Sequence, residues 1–169
     1  MEAPLTVAVY PGTFDPVHFG HIDIAERAHA LFGCVVIGVY ERPQKNVLFS
    51  AEQRVELMRA SLAHLPNVTV LSYQGLTVDF VRQQGARVIV RGLRVITDFE
   101  IEYQMALMTS RLAPEVEMVC LMTSLEYAFI SSSIVKDVAL AGGSVAQFVP
   151  PHVVEALRQR VAAPSAKKE

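Results

Sequence analysis

The chain has 169 residues, of which 51% belong to the AVILMFWYC set and 19% are charged, enough apolar material to argue against disorder and for one domain. A formal net charge of −2 supplies no global basic field for nonspecific nucleic-acid binding, although a small anionic ligand needs only local cations. The two cysteines, Cys34 and Cys120, lie far apart, which argues against a disulfide scaffold or a Cys-based zinc site and suits a reducing cytoplasm. Met1–Val9 lacks the basic and apolar regions of a leader, and the run Cys34–Tyr40 is far short of the ~20 residues that cross a bilayer. The expectation is a soluble cytoplasmic enzyme with neither a membrane nor a nucleic acid as partner.

Short β-branched runs alternate with stretches of helical periodicity. Strands are predicted at Thr6–Tyr10, Cys34–Tyr40, Val68–Leu71, Val88–Arg91 and Val116–Met122, all apolar throughout and so read as buried. Helices are predicted at Gly20–Leu31, Ala51–Ala63, Val78–Gln84, Asp98–Leu112, Ser132–Ala141 and Pro151–Val161. Ser50 with Gln53 forms a capping box, Gly142-Gly143 offers a left-handed helix stop, and Pro150-Pro151 opens the last helix. The alternation predicts an α/β fold: a single-domain, Rossmann-like, five-stranded parallel sheet with helices on both faces and right-handed crossovers. Residues 1–161 form that domain, and residues 162–169 a flexible tail. The ligand belongs at the carboxyl ends of the strands, where strand order reverses.

Strand one runs into Pro11-Gly12-Thr13-Phe14-Asp15-Pro16-Val17-His18-Phe19-Gly20-His21. Gly12 and Gly20 permit close backbone approach, and two prolines stiffen the turn. His18 and His21, three residues apart, share one face of a helix start whose backbone N–H groups form a phosphate cradle. No third ligand completes a zinc motif, and helix capping or plain surface exposure is the competing reading for either histidine alone. The loop matches neither GxGxxG nor GxxxxGK[ST].

After strand four, Arg91-Gly92-Leu93-Arg94 places two arginines where phosphates would be gripped, against the alternative of a solvated turn. After strand five, Ser131-Ser132-Ser133 opens a helix carrying Lys136 and offers hydroxyl and amide donors, although a plain N-cap needs only one of the three. Lys45 lies in the Arg42–Asn46 loop after strand two; a loop lysine is commonly just a solvated charge, although its place after a strand is where a phosphate would be met. The inventory holds no Ser-His-Asp set and no close carboxylate pair. Donors and cations without an evident base suit a nucleophile that is already ionised, such as a phosphomonoester.

His18-Phe19-Gly20-His21 resembles the HxGH signature of the nucleotidyltransferase superfamily, whose fold is shared with class I aminoacyl-tRNA synthetases. With Tyr10–Pro16, Arg91–Arg94, Asp98–Glu102 and Phe129–Ser133, the chain resembles the phosphopantetheine adenylyltransferases from Tyr10 to about Leu157. That resemblance implies ATP and 4′-phosphopantetheine as substrates, dephospho-coenzyme A and pyrophosphate as products, Mg²⁺ as escort of the phosphates, coenzyme A as a feedback ligand and a hexameric homo-oligomer. It implies His21, Lys45 and Arg91 as catalytic residues. It assigns ATP to Thr13, Phe14, His18, Arg94, Glu102, Ser131, Ser132 and Ser133, with Tyr127, Ala128, Phe129 and Ile130 around the adenine. It assigns phosphopantetheine to Thr13, Lys45, Leu76, Thr77, Arg91 and Asp137. Three positions depart from the common pattern: Thr109-Ser110 stands where Asn and a basic residue are usual, Asp137 where Glu is commoner, and His18 where many members carry Thr. Two other readings remain: a different member of the superfamily, acting for example on nicotinamide mononucleotide, and a noncatalytic nucleotide sensor.

Overall fold

The computed structural model describes residues 6–44 and 46–162. In chain order it contains β1 (Thr6–Gly12), α1 (Phe19–Phe32), β2 (Gly33–Tyr40), α2 (Ala51–Ser61), β3 (Val68–Tyr73), α3 (Thr77–Gln83), β4 (Val88–Leu93), α4 (Ile96–Leu112), β5 (Glu117–Met122), α5 (Ser132–Leu140) and α6 (Pro151–Ala162). The five strands are parallel in the order β3-β2-β1-β4-β5. Strand order therefore reverses between β1 and β4, the place where a ligand crevice opens in such sheets.

Alternation along the strands divides the core. Ala8 and Tyr10 of β1 join Val35, Ile37 and Val90 beneath α1, α5 and α6, whereas Val9 joins Val36, Ile89, Phe80 and Val81 on the other face. Helices thus cover both faces, as a parallel sheet requires. The edge strands are less enclosed than their apolar sequences predict: in β5, Glu117, Cys120 and Met122 are exposed. An edge strand has one neighbour instead of two, so an apolar run there need not be fully covered.

Local chemistry sets the boundaries. The amide of Gln53 donates to Ser50 Oγ at 3.3 Å and the amide of Ser50 to Gln53 Oε1 at 3.0 Å, completing the capping box of α2. Gly142 takes φ 80° after α5, and the Gly143 amide donates back to the Val138 carbonyl at 2.8 Å. Helix α4 starts two residues before the expected Asp98, which leaves that carboxylate in its first turn. Strand β1 runs two residues beyond Tyr10, because Pro11 and Gly12 stay in register with Gly38 and Val39 of β2.

Toward β4, however, β1 pairs only through Ala8–Val88 and Val9–Ile89. The two strands splay beyond that point, and the splay creates the site. Among the described residues no helix is long and apolar enough to cross a membrane. The tail expected at 162–169 lies outside the described residues except for Ala162, which ends α6.

Candidate active site

The splay between β1 and β4 opens a cleft of about 670 Å3. Its walls come from Tyr10–Phe14, His18, Gly20 and His21 on one side and Arg91, Arg94, Asp98 and Glu102 on the other. Leu76 and Thr77 at the start of α3, Ser131–Ser133 at the start of α5, and Met105, Met108, Thr109 and Leu112 of α4 complete it.

The first loop is tightly built. Phe14 adopts φ 52°, a left-handed conformation that costs an L-residue roughly 1–2 kcal/mol. Its ring lies over Gly12, where any Cβ would sit 2.7 Å from Phe14 Cζ, so a side chain there would force the ring to move. The same ring meets Tyr10 edge-on at 5.3 Å and His21 edge-on at 4.9 Å. His18 is the N-cap of α1, and its ring stacks on that of His21 with centroids 3.6 Å apart. Gly20 makes room for this, since a Cβ there would lie 3.1 Å from two atoms of the His18 ring.

His18 is 3% exposed, and its Nδ1 has no hydrogen-bond partner among the described residues. Burial, helped by the positive charge of Arg94, pushes its pKa down to about 3, so the ring is neutral at ordinary pH. The His18 amide donates to His21 Nδ1 at 3.3 Å. A ring that accepts at Nδ1 carries its proton on Nε2, which makes His21 a hydrogen-bond donor in the cleft.

Both arginines of the second constellation line the cleft, but neither is bare. Arg91 donates from Nε and Nη2 to the two oxygens of Glu102 at 2.9 and 2.7 Å, and from Nη1 to the Pro11 carbonyl at 2.8 Å. Burial alone would lower its pKa; the hydrogen bonds and charge of Glu102 outweigh that and hold it above its ordinary value. Arg94 donates from Nε and Nη2 to Asp98 at 3.0 and 3.2 Å and from Nη1 to the Ile130 carbonyl at 3.2 Å. Among the described residues, partners engage three of the five N–H donors on each guanidinium and leave two on each for a phosphate. Glu102, expected as an ATP contact, is primarily the counter-ion of Arg91, because a carboxylate 7% exposed must be paired.

The serine triplet divides its work. Ser131 Oγ accepts the Ile134 amide at 3.2 Å and caps α5, while Ser132 Oγ donates to the Pro16 carbonyl at 2.9 Å and ties α5 to the first loop. Ser133 stays exposed on the cleft wall. Thr77 Oγ1 lies 2.9 Å from the Tyr73 hydroxyl. Tyr127, Ala128 and Phe129, expected around the adenine, lie beside the cleft rather than in its wall: Tyr127 Cβ is 3.5 Å from where a Cβ on Gly20 would sit. The short 3-10 turn Leu125–Tyr127 carries that segment toward α1, where Tyr127 lies 6.2 Å from Phe19 and Phe129 is 63% exposed. Asp137, expected beside the pantetheine arm, is exposed on α5 and outside the cleft lining, because its helix position faces away from the sheet. Lys45 lies outside the described residues.

The cytidylyltransferase-like family matches residues 9–138 of this chain. A phosphopantetheine adenylyltransferase of Heliobacterium modesticaldum is 53% identical over 156 residues, covering 92% of this chain and 93% of that protein. The chain belongs to the phosphopantetheine adenylyltransferase family. A relative of the same name from a Roseiflexus species is 52% identical over 155 residues, covering 92% of this chain and 97% of that protein. A solved structure from Vibrio parahaemolyticus, assigned as a nicotinate-nucleotide adenylyltransferase, superposes with a TM-score of 0.70 over 90% of this chain and 98% of that one. At 16% identity that likeness shows the fold alone.

Sequence reasoning missed two supports of this site. Asp15, 1% exposed, accepts the amides of Leu48 and Phe49 at 2.8 and 2.9 Å and the Nζ of Lys136 at 2.7 Å. Arg54 of α2 is wholly buried and donates to backbone carbonyls. Burial lowers its pKa, and the charge of Asp15 opposes that. Asp15 sits within the Pro11–His21 loop but was assigned no role there, and Arg54 belongs to no pattern that reads locally as a site.

The carboxylates nearest the cleft, Asp98, Glu102 and Asp15, are each paired with a cation, and among the described residues no group of three or more His, Cys, Asp or Glu could hold a metal ion. The described residues do not form a dedicated Mg²⁺ site.

Proposed function

We propose that this chain transfers the adenylyl group of ATP to 4′-phosphopantetheine, giving dephospho-coenzyme A and pyrophosphate. One observation supports the reading above all others: His21, Thr13, Arg91, Arg94 and Ser133 line a single cleft at the switch point, among relatives named phosphopantetheine adenylyltransferase. An oxygen of the acceptor phosphate attacks the α-phosphorus in line. One P–O bond forms, the bond from Pα to the bridging oxygen of Pβ breaks, and the electron pair leaves with pyrophosphate. The second pKa of a phosphomonoester is ~6, so the nucleophile is already ionised near neutrality and needs no general base.

The chain therefore aligns and neutralises. His21 donates from Nε2 to an oxygen of the α-phosphate, where charge accumulates. Thr13, the remaining N–H groups of Arg91, and Lys45 hold the acceptor phosphate, while Leu76, Thr77 and the apolar wall of α4 receive the pantetheine arm. Arg94, His18 and the N-terminus of α5 with Ser132 and Ser133 take the nucleotide, an anion at a helix start. Mg²⁺ would enter with ATP, would be held mainly by phosphate oxygens and water, and would supply charge neutralisation on the phosphates.

The same reading makes the protein a cytoplasmic homo-oligomer, a hexamer, with coenzyme A competing for the pantetheine wall. Helix α4 supports assembly: Phe99, Tyr103 and Leu107, four residues apart on one side of the helix, are between 51 and 55% exposed, an apolar stripe of the kind that marks an interaction surface. Light scattering coupled to size exclusion checks the assembly. Incubating ATP with phosphopantetheine or nicotinamide mononucleotide checks the substrate: dephospho-coenzyme A and pyrophosphate are expected from the first, and turnover of the second alone would refute the assignment. Binding of ATP without pyrophosphate release from either would instead favour a sensor.

A further inference from the structure

Arg54 is 0% exposed, and its guanidinium fans out to four carbonyls. Nη1 donates to Thr13 and to Tyr40, both at 2.8 Å, Nε to Phe49 at 3.2 Å and Nη2 to Glu41 at 3.3 Å. Three of those carbonyls belong to the end of β2 and the entry to α2, rigid parts of the frame. The fourth belongs to the first loop of the cleft.

We propose that Arg54 is a positioning residue for adenylyl transfer, holding the imidazole of His21 in place through Thr13 and Phe14. The inference rests on the function proposed above. The Thr13 carbonyl is part of the peptide unit that joins Thr13 to Phe14. Rotating that unit changes φ of Phe14, so a hydrogen bond from a fixed donor at this carbonyl holds φ at 52°. A phenylalanine has no preference of its own for that region and stays there only when its surroundings impose it. The planar fork of an arginine, oriented by three other carbonyls, is such an imposition; the ammonium of a lysine is a single point on a flexible stem and is not.

Phe14 transmits the constraint. Its ring is pressed over Gly12, with no space for a Cβ between them, and its edge contact with His21 spans 4.9 Å between centroids. The stack on His18 supports the His21 ring from another side. If the Thr13–Phe14 peptide turns, the Phe14 ring shifts and His21 loses its edge contact with that ring. A displacement of about 1 Å in a catalytic donor can lower turnover by ~10²-fold.

The test compares wild type, Arg54→Lys, Phe14→Leu and the double variant, by pyrophosphate release and by the NMR resonance of the His21 ring. Arg54→Lys is expected to lower kcat about tenfold or more while KM for ATP and phosphopantetheine moves less than about threefold. Phe14→Leu is expected to reproduce that loss, and the double variant to fall no more than about twofold below the weaker single variant, because both act on one contact. The His21 resonance should shift in both single variants as the Phe14 ring moves or disappears, a change that general destabilisation does not produce in a folded protein. Multiplying losses in the double variant, an unshifted His21 resonance, or a raised KM with unchanged kcat would each overturn the proposal. If Arg54→Lys does not fold, Phe14→Leu decides alone: the carbonyl cage is intact there, so an unchanged kcat or an unshifted resonance refutes the link. A wild type inactive on both substrates refutes the function reading instead, and the NMR comparison then decides the role of Arg54.

Discussion

The imidazoles of His18 and His21 lie face to face, 3.6 Å between centroids and 21° from parallel. Two protonated rings at that separation would repel each other in a site that must also admit anions. The structure avoids this by burying His18, which stays neutral, and by making the His18 amide a donor to His21 Nδ1. One histidine is thus a platform and the other a directed donor.

From this division, His21→Ala is expected to lower kcat by ~10² or more while the affinity for ATP changes by only a few-fold, as for loss of one donor to a developing charge. Pyrophosphate release and calorimetric titration of ATP read the two quantities separately. Equal losses in both would mean that His21 serves the ground state.

His18 carries a pH consequence. Its folded pKa, about 3, lies below the ordinary 6.5, so between those values the unfolded chain binds a proton that the native state excludes. Native stability attributable to this group is therefore complete above about 6.5 and declines as pH falls toward 3, with a slope of up to about 1.4 kcal/mol per pH unit. His18→Gln, which cannot titrate, should flatten that part of a urea-unfolding pH profile. An unchanged slope would show that other groups dominate.

The Arg91–Glu102 pair joins β4 to α4 across the cleft wall. Glu102→Gln leaves Arg91 without its counter-ion, which in a fully buried pair costs about 3–5 kcal/mol. Because the Arg91 side chain is 33% exposed, solvent compensates in part and about 2–3 kcal/mol is expected, read by chemical denaturation. A change under about 0.5 kcal/mol would show that the pair is already hydrated.

Gly12→Ala drives a methyl to within 2.7 Å of the Phe14 ring, so the ring has to move. Overpacking of this kind destabilises by about 1–3 kcal/mol, and the displaced ring should also lower kcat. Thermal unfolding and pyrophosphate release measure the two effects; a variant with wild-type turnover would show that the first loop tolerates repacking.

Much of this molecule was legible before folding. The capping box at Ser50 and Gln53 and the stop at Gly142 depend on neighbours within a few residues, so their geometry is written into the local chain. The positions of His18, His21, Arg91 and Ser131–Ser133 after strands followed from the α/β alternation. The 3-10 turn at Leu125–Tyr127 did not, because nothing local marks the direction in which the chain leaves β5. Arg54 was equally unreadable: in sequence it is one more charged residue of a polar helix, and only the packing shows it enclosed.

The elements, their alternation and the histidine-bearing loop follow from local chemistry, because propensity, capping and hydrophobic period act over one or two turns. Tertiary structure decided which charges meet. Arg91 finds Glu102 at a separation of 11 residues, Arg54 finds Thr13 at 41 and Lys136 finds Asp15 at 121. Those partners are chosen by strand order and by the splay of β1 from β4, where buried charges must find counter-charges or carbonyls in whatever space the fold encloses.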